Sequence, residues 1–214
     1  IVQPDFGLIT NVGKAHLEGF GSFEGVVNTK GELYDFLRRK PGGSIFLNAD
    51  NEHLCGIAAG LPAETYGLPG KGYDVEGEAV RCAPFLELRW RPKGGEWQEV
   101  KTQLIGAYNA TNALAAAAVG LHFGVTPEQI THALTHYCPT NNRSELKRTE
   151  RNTLVVDAYN ANPTSMQAAL DNFALMEGSA KLAILGEMRE LGEASAEEHE
   201  KVAQQACALT DTEV

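Results

Sequence analysis

The stretch ITNVGKAHLEGFGSFEGVVNTKGELYDFL at 9–37 sets His16 and Lys30 at the two ends of a glycine-rich turn. An imidazole can ligate a metal, and a partly desolvated lysine can lose its proton and act as a neutral amine. Asn109 and Asn112 lie at i and i+3 near a helix start, on one face, where amides can bond a base such as adenine that offers both donors and acceptors. Arg143 carries a guanidinium suited to a pair of phosphate oxygens. Asp157 ends an apolar run, a position from which a carboxylate can bond ribose hydroxyls. On spacing alone each has a structural alternative: a loop histidine, a solvated helix lysine, helix-capping asparagines, a surface arginine and an asparagine-rich turn.

The elements that must position these residues follow from periodicity. Apolar Phe6, Leu8 and Ile9 running into Asn11 and Gly13 predict a strand and then a loop. His16 then hangs just past the strand's carboxyl end, where open α/β sheets bind ligands. Ser22 can cap a helix whose apolar positions Phe23, Val26, Val27, Leu33, Tyr34 and Leu37 recur at helical spacing, with Lys30 inside it. GSIFLN at 43–48 predicts a buried strand, with Asp50 or Asn51 as cap of the next helix, and the glycine-rich 67–77 reads as loop. LELRW at 86–90 alternates and can pair with 97–104 across PKGGE, as an antiparallel hairpin inserted in an otherwise α/β chain.

Beyond the hairpin, Tyr108 to Phe123 predicts an alanine-rich helix ending at Gly124. Thr126, Pro127 and Gln129 open another, which reaches His136. The pattern breaks at CPTNNRSEL and then restarts: a strand at Thr153 to Val156, a helix at Pro163 to Met176, a strand at Leu182 to Leu185, and a helix capped by Ser195 with Glu198 that runs to Leu209. The class is α/β, with a domain boundary near Cys138 to Asn142 that divides 1–140 from 141–214. The second part is expected to hold a parallel, Rossmann-like sheet.

A length of 214 residues allows one large or two modest domains. The net charge of −10 argues against a nucleic-acid or anionic-membrane surface, yet it leaves room for a local cationic pocket that takes phosphates. Cys55, Cys82, Cys138 and Cys207 are scattered, without a C-x-x-C pair, and read as ordinary buried thiols of a reducing cytosol. No apolar run is long enough to cross a bilayer and no signal peptide opens the chain, so a cytoplasmic protein is expected. The chain opens on IVQPDF and stops at TDTEV, and both ends read as cut from something longer.

TNVGKAHLEGFGS followed by NTKGELYDFL resembles the central, ATP-hydrolysing domain of the Mur ligases, closest to the MurF type. LIGAYNATNALAAAAVG is similar to that family's G-x-H-N-x-x-N segment, with Tyr108 where the family has histidine; a tyrosine ring can still stack on a base. NNRSEL and LVVDAYNANPTSM resemble the start of the last domain, and the latter string most separates the MurF type from its relatives. LGEMRELGEASAEEHEKV at 185–202 is also similar. The resemblance implies part of a central ATPase domain followed by a truncated Rossmann-like C-terminal domain. It makes His16 a magnesium ligand and Lys30 a carbamate, an anionic oxygen donor that suits Mg²⁺ better than imidazole does. It places Asn109 and Asn112 at adenine, Arg143 at the phosphates and Asp157 at the ribose. Tyr159, Asn160 and Asn162 approach the phosphates or an incoming dipeptide, and Glu187 and Glu190 are weaker loop contacts.

By the same resemblance the expected activity is that of an ADP-forming amide-bond ligase of peptidoglycan precursor synthesis. It uses ATP and Mg²⁺ to join D-alanyl-D-alanine to UDP-N-acetylmuramoyl-tripeptide through an acyl phosphate. The phosphate loop G-x-x-x-x-G-K-[ST] that such a ligase carries upstream does not occur, and Gly70 with Lys71 lacks the following Ser or Thr. The chain alone is therefore expected to be inactive and to depend on the remaining domains of its polypeptide. The alternatives are another ligase of the superfamily, adding diaminopimelate or lysine or acting as a folylpolyglutamate synthase, and a noncatalytic nucleotide-binding module.

Overall fold

Six strands form one sheet in a computed structural model that describes residues 2–13, 17–140, 143–178 and 180–209. They are β1 (Phe6–Leu8), β2 (Ser44–Asn48), β3 (Ala63–Gly67), β4 (Val75–Arg81), β5 (Glu87–Pro92) and β6 (Gln98–Lys101), lying side by side in chain order. β1 to β4 pair in parallel, and β4 to β6 pair antiparallel. The helices are α1 (Leu17–Phe20), α2 (Phe23–Arg39), α3 (Glu52–Ala58), α4 (Asn109–His122) and α5 (Pro127–His136).

β2 explains the layering. Its side chains alternate between faces, so Ile45 and Leu47 join Tyr34, Leu37 and Leu54 of α2 and α3, while Phe46 joins Ala113, Leu114 and Ala117 of α4 on the other side. A strand covered on both faces is near-continuously apolar, as SIFLN is. α2 begins where Ser22 accepts the Gly25 N–H at 3.1 Å, and α3 where Asn51 accepts that of Leu54. α5 carries a full capping box of Thr126 and Gln129. The alanines of α4 let it lie close to the sheet. At Gly77 of β4 a Cβ would meet Leu114 Cδ2 at 2.5 Å and the Arg89 carbonyl at 2.7 Å.

Two expectations fail in this part. The stretch 67–77 is not all loop, because β3 and β4 flank a shorter connection at 68–74. The 86–104 hairpin is no insertion either; β5 continues the sheet through β4. β3, AETYG, lacks alternation and ends in glycine, so only its neighbours β2 and β4 define it.

The 68–74 connection is pinned by Glu76, which is 4% exposed. Its Oε1 accepts the N–H groups of Gly70 and Gly72 at 3.1 and 2.8 Å, and its Oε2 accepts from Arg91 at 2.9 Å. Arg91 first, and then the Gly72 amide, hold the Glu76 carboxyl below its ordinary 4.5. A carboxyl depressed in the folded state contributes stability above the ordinary pKa and loses it as pH falls through the folded value. Glu76→Gln is therefore expected to flatten the decline of the urea midpoint between about pH 5 and about pH 3. Parallel declines for variant and wild type would refute this.

The last unit contains β7 (Glu145–Arg148), β8 (Thr153–Val156), α6 (Pro163–Leu175), a 3₁₀ turn (Gly192–Ala194) and α7 (Ser195–Leu209). Leu170, Met188, Leu191, Val202 and Ala206 form its core. Among the described residues it holds no parallel sheet. β7 and β8 form an antiparallel hairpin whose turn is tied by the Thr149 N–H to the Asn152 carbonyl at 2.8 Å and by the Thr149 hydroxyl, and a turn this short admits only antiparallel pairing. Leu182 to Leu185, expected as a strand, has no strand beside it among the described residues and stays irregular, with Ile184 88% exposed. Ser195 is not an N-cap: its dihedrals are already helical, continuing the 3₁₀ turn. Nor are the cysteines buried. Cys55, Cys138 and Cys207 are exposed and Cys82 is intermediate, because Cys55 and Cys207 sit on helix faces that turn outward beside buried Leu54 and Ala206. No helix among the described residues is long and apolar enough to cross a membrane.

Candidate functional site

A cleft of about 800 Å³ opens between the two units, within the roughly 300–1,000 Å³ of small-molecule sites. Its walls come from the loop after β1, the middle of α2, the start of α4, the end of α5, and the chain on either side of β7 and β8. Of the residues singled out from sequence, Lys30, Asn109, Asn112, Arg143, Asp157, Tyr159, Asn160 and Asn162 all line it. His16 lies outside the described residues. Glu187 is exposed and pairs with Arg189, away from the cleft lining, and Glu190 does not line the cleft either.

Lys30 stands on α2 and donates from Nζ to the Asn11 carbonyl at 2.9 Å. Partial enclosure by the cleft wall lowers its pKa below the ordinary 10.5, because desolvation disfavours the ammonium form. Among the described residues no group of three or more His, Cys, Asp or Glu gathers to hold a metal.

The two asparagines of α4 are ordered in series. Asn109 donates from Nδ2 to the Ile105 carbonyl at 2.8 Å, and its Oδ1 accepts from Asn112 Nδ2 at 3.0 Å. Neither is the N-cap, since that position is Tyr108 and it makes no side-chain cap bond. The chain Ile105, Asn109, Asn112 fixes which way each amide points and leaves the exposed Asn112 with an oxygen and a second N–H for another partner. Asn162, in contrast, is occupied as a cap. Its Oδ1 accepts the Ser165 N–H at 2.9 Å and completes a capping box on α6. Asn160 Oδ1 accepts the Ala161 N–H at 3.0 Å.

Across the cleft the Arg143 guanidinium lies 3.8 Å above the centre of the Tyr159 ring, a cation–π contact that aims it while leaving its N–H groups for an anion. Tyr159 is 62% exposed and supports Arg143 from below. Next along the chain, Ser144 is 5% exposed and left-handed, with φ of 49°, a conformation that costs a non-glycine residue roughly 1 kcal/mol. Its Oγ lies 2.5 Å from the Tyr108 hydroxyl and donates to Asp157 Oδ2 at 3.2 Å. Burial raises the Tyr108 pKa, and the Ser144 hydrogen bond offsets only part of that. Asn11 and Ser144 were not singled out from sequence. Asn11 acts through its backbone and Ser144 through a partner 36 residues away, and neither leaves a local pattern.

The sequence matches a family model for the Mur ligase middle domain over residues 1–120 and one for the Mur ligase glutamate ligase domain over residues 142–212. It is 35% identical to the UDP-N-acetylmuramoyl-tripeptide–D-alanyl-D-alanine ligase of Mycobacterium tuberculosis, over 98% of this chain and 42% of that protein. It is 33% identical to the Bacillus subtilis ligase of the same name, over 90% and 41%. The chain thus spans less than half the length of these relatives. Among solved structures, MurF from Acinetobacter baumannii superposes with a TM-score of 0.84 at 28% identity, covering 97% of this chain and 45% of that one. MurF of Thermotoga maritima in complex with ADP superposes with a TM-score of 0.83 at 24% identity, covering 96% and 47% and showing the shared fold. With more than half of its residues matched by the middle-domain model and most of the remainder by the second, the chain belongs to the Mur ligase family.

Proposed function

We propose that this chain is the nucleotide-handling part of an ADP-forming ligase that joins D-alanyl-D-alanine to UDP-N-acetylmuramoyl-tripeptide in the cytoplasm, together with further domains of its polypeptide. One observation carries the reading: a single cleft gathers an ordered asparagine pair, a guanidinium, a carboxylate and a partly desolvated lysine from units that are far apart in sequence. Residues 1–140 supply the lysine and the asparagines, residues 141–214 the arginine and the carboxylate, with the boundary in the 138–142 segment.

In this reading Asn112, oriented by Asn109, bonds the adenine edge through its oxygen and its second N–H. Asp157 accepts from the ribose hydroxyls. Arg143, aimed by Tyr159, meets the phosphate oxygens and offsets charge that accumulates as phosphate is transferred to the tripeptide carboxylate. Asn160 stands beside the phosphates. The lowered pKa of Lys30 raises the fraction of neutral amine that can capture carbon dioxide. A carbamate there and the Asn11 carbonyl are hard oxygen donors of the kind Mg²⁺ prefers, so Lys30 and, from its place in the sequence, His16 would hold the ion. Magnesium, when bound, neutralises phosphate charge.

The test is ADP binding to the intact polypeptide by titration calorimetry, in wild type and Asn112→Ala. Loss of one well-oriented amide is expected to weaken binding by about tenfold. Equal affinity in the two proteins would remove Asn112 from the base contact, and absence of binding to wild type would overturn the nucleotide reading.

A further inference from the structure

Three groups that the proposed site does not use together form a continuous line across the cleft. Tyr108 is the N-cap residue of α4, Ser144 the residue before β7, and Asp157 the residue after β8. We infer that Tyr108 and Ser144 are positioning residues, a one-way hydrogen-bond relay that fixes the distance between the base-binding half of the cleft and its ribose- and phosphate-binding half; the inference rests on the nucleotide reading above.

The direction of the relay follows from proton count. Ser144 has one hydroxyl proton and gives it to the Asp157 carboxylate, which as an anion only accepts. The Ser144 oxygen can then take part in the 2.5 Å contact with Tyr108 only as acceptor, so the phenol is the donor. The relay therefore runs Tyr108 to Ser144 to Asp157 and ends on the carboxylate assigned to the ribose. It orients that carboxylate by holding Oδ2, while Oδ1 has no hydrogen-bond partner among the described residues.

The backbone of Ser144 points the same way. A φ of 49° favours glycine, yet a serine stands there, nearly fully buried and with its hydroxyl engaged on both sides. The side-chain bonds hold a conformation that the backbone disfavours. That conformation sets the course of the chain between Arg143, above Tyr159, and β7. Tyr108 immediately precedes Asn109, so the relay joins the residues flanking the asparagine pair to those flanking the arginine and the carboxylate. A second tie lies at the edge of the two units, where the Glu18 N–H donates to the Glu190 carbonyl at 3.2 Å.

The relay is tested in the intact polypeptide with Tyr108→Phe, Ser144→Gly and the double variant. Tyr108→Phe keeps the ring and removes only the donor. Ser144→Gly relaxes the left-handed backbone and removes the whole hydroxymethyl side chain, hydroxyl included, so a role confined to holding the backbone predicts equal or better performance. Each single variant is expected to raise the ADP dissociation constant and the KM for ATP by about tenfold, with kcat changed by less than about threefold. The double variant is expected to match the weaker single, because both break one chain. Wild type that binds ADP alongside a Tyr108→Phe or Ser144→Gly protein within about twofold of it overturns the relay, as does a double variant whose loss is the product of the singles. Wild type that binds no ADP overturns the nucleotide reading instead. In that case the unfolding midpoint without nucleotide still reads the relay: Tyr108→Phe must lower it in wild type and leave it unchanged in the Ser144→Gly background.

Discussion

Lys30→Ala in the intact polypeptide is expected to lower ligase turnover by about 10²- to 10³-fold, the usual cost of removing a preorganised group that stabilises transferring charge. ADP release from ATP in the presence of both substrates measures it. Folding should be spared. Lys30 is exposed, its one bond among the described residues goes to the Asn11 carbonyl, and alanine is the better helix former, so the urea midpoint should report a change within about 0.5 kcal/mol. Lys30→Arg separates two chemical roles. A guanidinium stays protonated and cannot capture carbon dioxide, so a carbamate role predicts the arginine variant to be as inactive as the alanine one. An arginine variant of near wild-type turnover would show that Lys30 serves as a cation. The lowered Lys30 pKa favours the first outcome, because the neutral amine is the reactive form.

Trp90→Ala is expected to destabilise the chain by about 3–5 kcal/mol, the range for truncating a large buried aromatic. Trp90 is fully buried in β5 and sits opposite Gly77 of β4, where a Cβ would come within 3.0 Å of its own. Its indole Nε1 donates to the Thr131 hydroxyl at 3.3 Å and so joins the sheet to α5. Truncation leaves a cavity under α4 and α5 and frees the Thr131 hydroxyl, and little around it can collapse, since apart from Leu114 the buried α4 positions of this cluster are alanines. A urea titration gives the value, and a loss below about 1.5 kcal/mol would mean that the cluster repacks. Because α4 carries Asn109 and Asn112, nucleotide affinity should fall in the same variant.

The elements that the sequence made legible are those governed by nearby residues. Ser22 and Thr126 with Gln129 each cap a helix as their spacing predicted, and of Asp50 and Asn51 it is Asn51 that caps α3, because the bonds involved span three residues. The alanine-rich α4 and its end before Gly124, which has φ of 80°, were legible for the same reason. β3 and β4 were not, since AETYG and VEGEAVR take their form from hydrogen bonds to strands already in place. Leu182 to Leu185 shows the converse: an apolar run with strand composition forms no strand where none lies beside it.

The candidate site divides along the same line. Residue types alone marked Lys30, Asn109, Asn112, Arg143 and Asp157 as groups able to meet a base, a sugar and phosphates, since amide, guanidinium and carboxylate chemistry is carried by each side chain wherever it stands. That they face one cleft, that Tyr159 supports Arg143, and that Asn162 is occupied by its own helix are decisions of tertiary structure. So is the engagement of Ser144 by partners 36 and 13 residues away. Local sequence holds no term for such pairs. Their distance is set by how α4 packs on the sheet and how the β7–β8 hairpin sits across from it, and only the folded chain fixes both.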